Sequence, residues 1–160
     1  MSSETIFEFG ILEIRDLGFS VNEDIAIPTP VAWKNAITFE FNLEENWVLF
    51  IVTVGFIDDK ENEFINGKVL TRFFVNDLKL YHNTKHPNII SFPDDQDITL
   101  YSLAFTHARA ILAKNLSGSK YEHVFIPIVN PSEYFKVFRN SPVNSIKEKS
   151  KKKATKRISR

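Results

Sequence analysis

No cysteine occurs among the 160 residues, which removes disulfide bonds, thiolate metal ligands and a thiol nucleophile together. Glycine is scarce: there are five, and none falls in the spacing that cradles a phosphate in a P-loop or a dinucleotide fold. No apolar run approaches the length that crosses a bilayer as a helix, so membrane insertion is not expected. The four histidines, His82, His86, His107 and His123, are scattered. His82 and His86 have an i,i+4 spacing, but Asn83 and Pro87 oppose the helix that this spacing needs, so no metal site is read. No serine or threonine stands at readable spacing from a base. Catalysis and a cofactor are therefore not expected. Residues 1–6 lack a basic stretch followed by an apolar one, so the expected location is the cytoplasm.

The zero net charge hides an asymmetry. Residues 147–160 hold eight Lys and Arg against one Glu, a charge of +7, while the rest of the chain carries −7. An acidic body and a basic tail follow. The division expected is a folded part over residues 1–139 and a disordered, polar, basic tail over 140–160.

Aromatic residues are plentiful, with fifteen Phe, and the most informative stretch is residues 47–57, Trp-Val-Leu-Phe-Ile-Val-Thr-Val-Gly-Phe-Ile. Nine of its eleven residues are large and apolar. This composition suits a strand. Val48, Phe50, Val52, Val54 and Phe56 share one face, and Leu49, Ile51 and Ile57 the other. A strand with one wet face alternates apolar and polar residues, and this one does not. Leaving the second face in water would forgo roughly 10 kcal/mol, comparable to the net stability of a domain. The pattern therefore predicts cover on both faces and points to oligomerisation.

The neighbouring segments read as strands too. Residues 5–21 alternate in their first half, then shift phase near Gly10 to Leu12 as a bulge does. Residues 22–35 form a long connection that contains Pro28, Pro30 and Trp33. Ile37, Phe39, Phe41 and Leu43 alternate with Thr38, Glu40 and Asn42 as a half-buried second strand. Short polar turns at 44–46 and 58–62 lead into and out of residues 47–57, and a fourth strand spans 64–80. The sheet is expected to be antiparallel. The period then changes: Ile98, Tyr101, Ala104, Phe105, Ala108, Ile111 and Leu112 share one side of a long helix, with Asp94 as its cap and Gly118 as its stop. After an extended piece at 123–129, Asn130-Pro131-Ser132-Glu133 spells the start of a short aromatic helix. The fold class expected is α+β: a four-stranded antiparallel sheet with a long crossover after the first strand, then a long and a short helix.

This order resembles the SecB family of export chaperones. Trp33 followed by the alternating strand at 37–43 is similar to the tryptophan that closes the family's crossover loop. Phe105-Thr106-His107-Ala108-Arg109 resembles the Ala-Arg segment of its long helix, and Phe125-Ile126-Pro127-Ile128-Val129-Asn130 resembles the segment leading to its last helix. The resemblance covers about residues 7–139. It implies a dimer of dimers with sheets joined edge to edge and long helices packed between dimers. It also implies ATP-independent binding of unfolded or precursor polypeptides in apolar grooves for export or handover. The basic tail departs from the acidic C-terminus with which exporting members engage the SecA motor. SecB-like proteins also serve toxin–antitoxin systems, so an antitoxin is the alternative partner.

The residues expected to touch client are Val31, Trp33, Phe50, Tyr134, Phe135 and Phe138. Aromatic side chains in a groove bind apolar peptide with little sequence demand; alternatively, they pin a loop and a helix to the sheet. Leu49, Ile51, Tyr101, Phe105 and Arg109 are the expected oligomer contacts, although Arg109 also suits a solvated helix face. The tail has the charge for contact with nucleic acid but lacks interleaved aromatics for base stacking, and a solubilising role competes with that reading.

Overall fold

Alternation and β-branched content give four long strands in the computed structural model, which describes residues 6–93, 96–130 and 132–133. They are β1 (Phe9–Val21), β2 (Ala32–Asn42), β3 (Trp47–Ile57) and β4 (Glu63–Val75), followed by a 3-10 turn (Leu78–Tyr81) and the long helix α1 (Gln96–Leu116). The strand order is β1-β4-β3-β2, antiparallel throughout. Strands β2, β3 and β4 are a meander, whereas the connection from β1 to β2 crosses from one sheet edge to the other. The β3–β4 turn closes on Asp58. Asn62 donates its side-chain amide to Asp58 Oδ2 at 3.0 Å, and the backbone amides of Asn62 and Lys60 donate to Oδ1 at 2.8 and 2.9 Å. The Asn62 side chain is the first cause, and the backbone amides a lesser one, of a carboxyl held below its ordinary range.

The first bulge falls where the phase shift predicts it, between Ile11 and Glu13, and a second lies between Asp16 and Gly18. Two boundaries differ from expectation. Strand β2 begins at Ala32, so Trp33 is a strand residue opposite Phe56 rather than part of the crossover. The chain enters the ladder at Ala32, two residues after Pro30; proline ends a helix but is tolerated just before a strand. Strand β4 stops at Val75, where Asp77 adopts a left-handed conformation (φ 52°) and starts the 3-10 turn. Helix α1 ends as the sequence predicts, with Gly118 at φ 78° two residues beyond Leu116. Its expected cap, Asp94, lies outside the described residues, as does the segment 134–160.

Strand β3 lies in the sheet interior between β2 and β4. Val48, Phe50, Val52, Val54 and Phe56 join one core with Val69, Phe73, Leu100, Tyr101, Ala104 and Leu112. This face is covered by the protomer's own α1 in the middle. Gly67 permits that approach: a Cβ there would stand 2.9 Å from Leu112 Cδ1. At one end, Phe7, Phe9, Tyr81 and Phe92 close ring on ring, with centroids 5.4–5.8 Å apart. At the other end, Tyr121 packs on Phe64 at 5.3 Å.

The second face of β3 has a different cover. Leu49 is 4% exposed and Leu70, on β4, 7%, yet neither belongs to the core under α1. Across the ladder Leu49 pairs with Arg72, whose guanidinium lies 5.0 Å from the centre of the Trp47 ring and 3.4 Å from Glu13. Arginine stems lie along apolar surface while their heads reach polar partners. Among the described residues, this face is thus screened by an amphipathic layer of the sheet's own side chains.

Candidate functional site

The helix face of the sheet is wider than α1, which lies over β3, β4 and part of β1. A margin along β2 remains. Register places Trp33, Ile37, Phe39 and Phe41 on this face, opposite Phe56, Val52, Phe50 and Val48. Trp33, Phe39 and Phe41 are half-buried, packed against the core without being enclosed by it. Phe39 and Phe41 lie 6.1 Å apart, and the ring of His82 is 6.2 Å from Phe41.

At the Trp33 end the helix supplies the wall. Trp33 meets Phe105 edge-on at 6.2 Å, Phe105 stacks on Tyr101 at 5.9 Å, and the Arg109 guanidinium lies over Phe105 at 5.9 Å. Arg109 also donates from Nε to the Ile126 carbonyl at 3.3 Å and from Nη2 to that of Pro127 at 3.0 Å. One side chain thereby fixes the extended segment to α1. Beyond it Ile126 is buried, whereas Phe125 and Ile128 face outward, Ile128 at 91% exposure. Asn130 Oδ1 then accepts the Ser132 amide at 3.1 Å, and Ser132 and Glu133 are helical. This is the capping pattern expected of the last helix.

The crossover is tied to the same region. Tyr121 shares its hydroxyl proton between the carbonyls of Asn22 (2.6 Å) and Ile25 (2.5 Å), and Lys120 donates to the Glu23 carbonyl. Val31, at the end of the crossover, is half-buried against the core.

The expected client contacts are dispersed by this geometry. Trp33 and Val31 lie at the margin. Phe50 lies beneath it, 2% exposed, between Phe39 (5.1 Å) and Phe73 (6.1 Å). Tyr134, Phe135 and Phe138 lie outside the described residues, immediately after the turn that Arg109 helps to position. Of the expected oligomer contacts, Tyr101 and Phe105 are buried against the protomer's own sheet, Arg109 is half-buried on its own chain, and Leu49 and Ile51 lie on the Arg72 side. Sequence reasoning did not single out Phe39, Phe41 and Tyr121. The alternation of β2 marked the two phenylalanines as inward-facing, but only the sheet order shows that their strand is an edge.

A second exposed apolar feature lies on the other edge. On β1, Ile11, Leu12, Ile14 and Leu17 are 38–55% exposed. Glu13 pairs there with Arg15 and Arg72. His107, on α1, shares a 3.2 Å hydrogen bond with Thr71 Oγ1 and stacks over Phe73. Burial lowers its pKa.

No protein-family model matches the sequence, and no curated protein matches it. Solved structures that match include a SecB-like chaperone of Mycobacterium tuberculosis in complex with a peptide from an antitoxin. It shares 10% identity, over 76% of this chain and 91% of that chain, with a TM-score of 0.49.

Proposed function

We propose that this protein is an ATP-independent chaperone that holds non-native polypeptides on the aromatic margin of its sheet. The observation that carries the reading is the row Trp33, Phe39 and Phe41, half-buried beside α1 at a sheet edge, with the outward Phe125 and Ile128 on the segment fixed by Arg109. Such a surface offers desolvated contact to apolar side chains and few directional polar side chains. It therefore suits many sequences rather than one. The strand order and single long helix agree with the SecB-like element order read from the sequence.

Assembly follows the same reading. Two protomers join through β1, whose exposed Ile11, Leu12, Ile14 and Leu17 would otherwise remain in water. A twofold axis at Ile14 sets Ile14 against its own copy and Glu13 against Arg15, so the strand is complementary to itself.

The test is aggregation of several unrelated unfolded proteins with the purified chain at stoichiometric ratio. The expected result is delayed aggregation without ATP. Trp33→Ala should weaken client binding about tenfold or more, the scale of a truncated aromatic hot spot, with thermal melting as the control for folding. Failure to delay any client, with Trp33→Ala indistinguishable from the parent, would remove the proposal. An antitoxin client is a narrower form of the same function. It predicts tight binding of one polypeptide and weak binding of all the others.

A further inference from the structure

We infer that client is taken up on this margin by strand addition, an extended segment pairing its backbone with the free edge of β2. This rests on the chaperone reading and specifies what the site recognises. The two edges of the sheet differ. Strand β1 is divided by two bulges into short regular runs, of which Glu13–Asp16 carries the self-pairing proposed above, so it offers no long template to a client. Strand β2 runs from Ala32 to Asn42 in unbroken register with β3, without bulge or proline. Among the described residues, the backbone of residues 36–41 makes no hydrogen bond outside its ladder with β3. Alternate N–H and C=O groups along that stretch therefore point away from the sheet, a ready template for another strand.

Side chains determine which strand fits. On the helix face, Ile37, Phe39 and Phe41 would lie beside every second residue of the added segment, and α1 leaves that lane open. On the opposite face, Ala36, Thr38 and Glu40 are exposed. Glu40 has no salt-bridge partner among the described residues. A directly opposed cation would stabilise the pair. The occupant is thus an extended peptide that alternates apolar with polar residues and carries a lysine or arginine on its polar side. A helical segment cannot use the edge, because its backbone groups are already paired.

The probe is a short synthetic peptide alternating valine with threonine and bearing one lysine, with a permanently unfolded carboxymethylated lactalbumin as the general client. Two N-methylated versions of the peptide block alternate sets of amides. Strand addition predicts that one set weakens binding about tenfold or more, while the other set leaves it nearly unchanged. Glu40→Lys should weaken the lysine peptide about two- to fivefold and favour a glutamate analogue instead. On peptide binding, alternate amides of residues 36–41 should gain protection from hydrogen exchange. Equal effects of the two methylation sets, while lactalbumin still binds, would overturn strand addition and leave the chaperone function intact. Protection of β2 without peptide, growing with protein concentration, would assign the edge to a second copy and overturn the inference. If neither peptide nor lactalbumin binds, both the inference and the chaperone reading fall.

Discussion

Tyr121 and His107 are single residues whose roles come from partners distant in sequence. The Tyr121 hydroxyl serves two carbonyls of the crossover, at Asn22 and Ile25, while its ring fills the core beside Phe64. Tyr121→Phe keeps the ring and removes the only side-chain donor found for those carbonyls among the described residues. A loss of about 1–3 kcal/mol in chemical denaturation is expected, with faster hydrogen exchange confined to the crossover. His107 gives a pH dependence with a definite sign. Burial disfavours its charged form, so its folded pKa lies below the ordinary value of 6.5. The unfolded chain takes up the proton first as pH falls. The His107 contribution is therefore complete above the unfolded pKa, and declines as pH drops from 6.5 toward the folded value. His107→Gln retains a hydrogen-bonding group for Thr71 but does not titrate. The stability of this variant between about pH 8 and about pH 5 should fall less steeply than that of the parent. Equal slopes in the two proteins would show that His107 is not the group responsible.

At the scale of elements, the two sheet edges have different chemistry, and the β1 edge can be tested separately. Ile14→Lys places a charge at the proposed twofold axis, on a side chain already 43% exposed. It should convert a dimer to a monomer in sedimentation, while far-ultraviolet circular dichroism stays unchanged. A dimer that survives with both copies of the lysine present would rule out the β1 interface. How far such elements can be read from sequence depends on which signals are local. Residues 47–57 were legible as β3 because β-branched and aromatic residues fill a run of strand length that polar turns bound on both sides. The helix stop at Gly118 was legible because only a left-handed residue ends the turn there, and the first bulge because Leu12 disrupts the alternation. The start of β2 was not legible: Pro28 and Pro30 bias the chain toward a loop, and only pairing with Ile57 and Phe56 draws Ala32 and Trp33 into the ladder. The cover of Leu49 was also hidden. Arg72 and Glu13 look like solvated charges until β1 and β3 are placed on either side of β4 and Trp47 provides a ring for the guanidinium. Register is non-local, and both the aromatic margin along β2 and the screened face depend on it.

At the scale of the whole molecule, the governing quantity is the separation of charge between a body at −7 and a tail at +7. On the proposed chaperone function, a client that carries a basic segment should be attracted to the acidic part of the chain, and residues 147–160 should compete with it for the same field. The competition is intramolecular, so it acts at every protein concentration and weakens only as salt shortens the range of the interaction. Removing residues 141–160 leaves a chain with a net charge of −7. At low ionic strength this truncated protein should bind a basic unfolded client more tightly than the full chain does, and an acidic client less tightly. Both differences should shrink between about 0.05 M and about 0.5 M salt, because the Debye length falls from beyond the reach of a side chain to about its length. Binding isotherms for one basic and one acidic client, each with and without the tail, separate this from direct recruitment of polyanions. If the tail instead serves nucleic acid, the full chain should be retained on RNA or DNA with a steep salt dependence that disappears on truncation, because each neutralised phosphate releases a counterion. Client affinities that do not respond to truncation at any salt concentration would show that the two charged parts act independently. The near-zero net charge would then matter only for solubility, where it predicts that the full chain associates more readily near neutral pH than the truncated one.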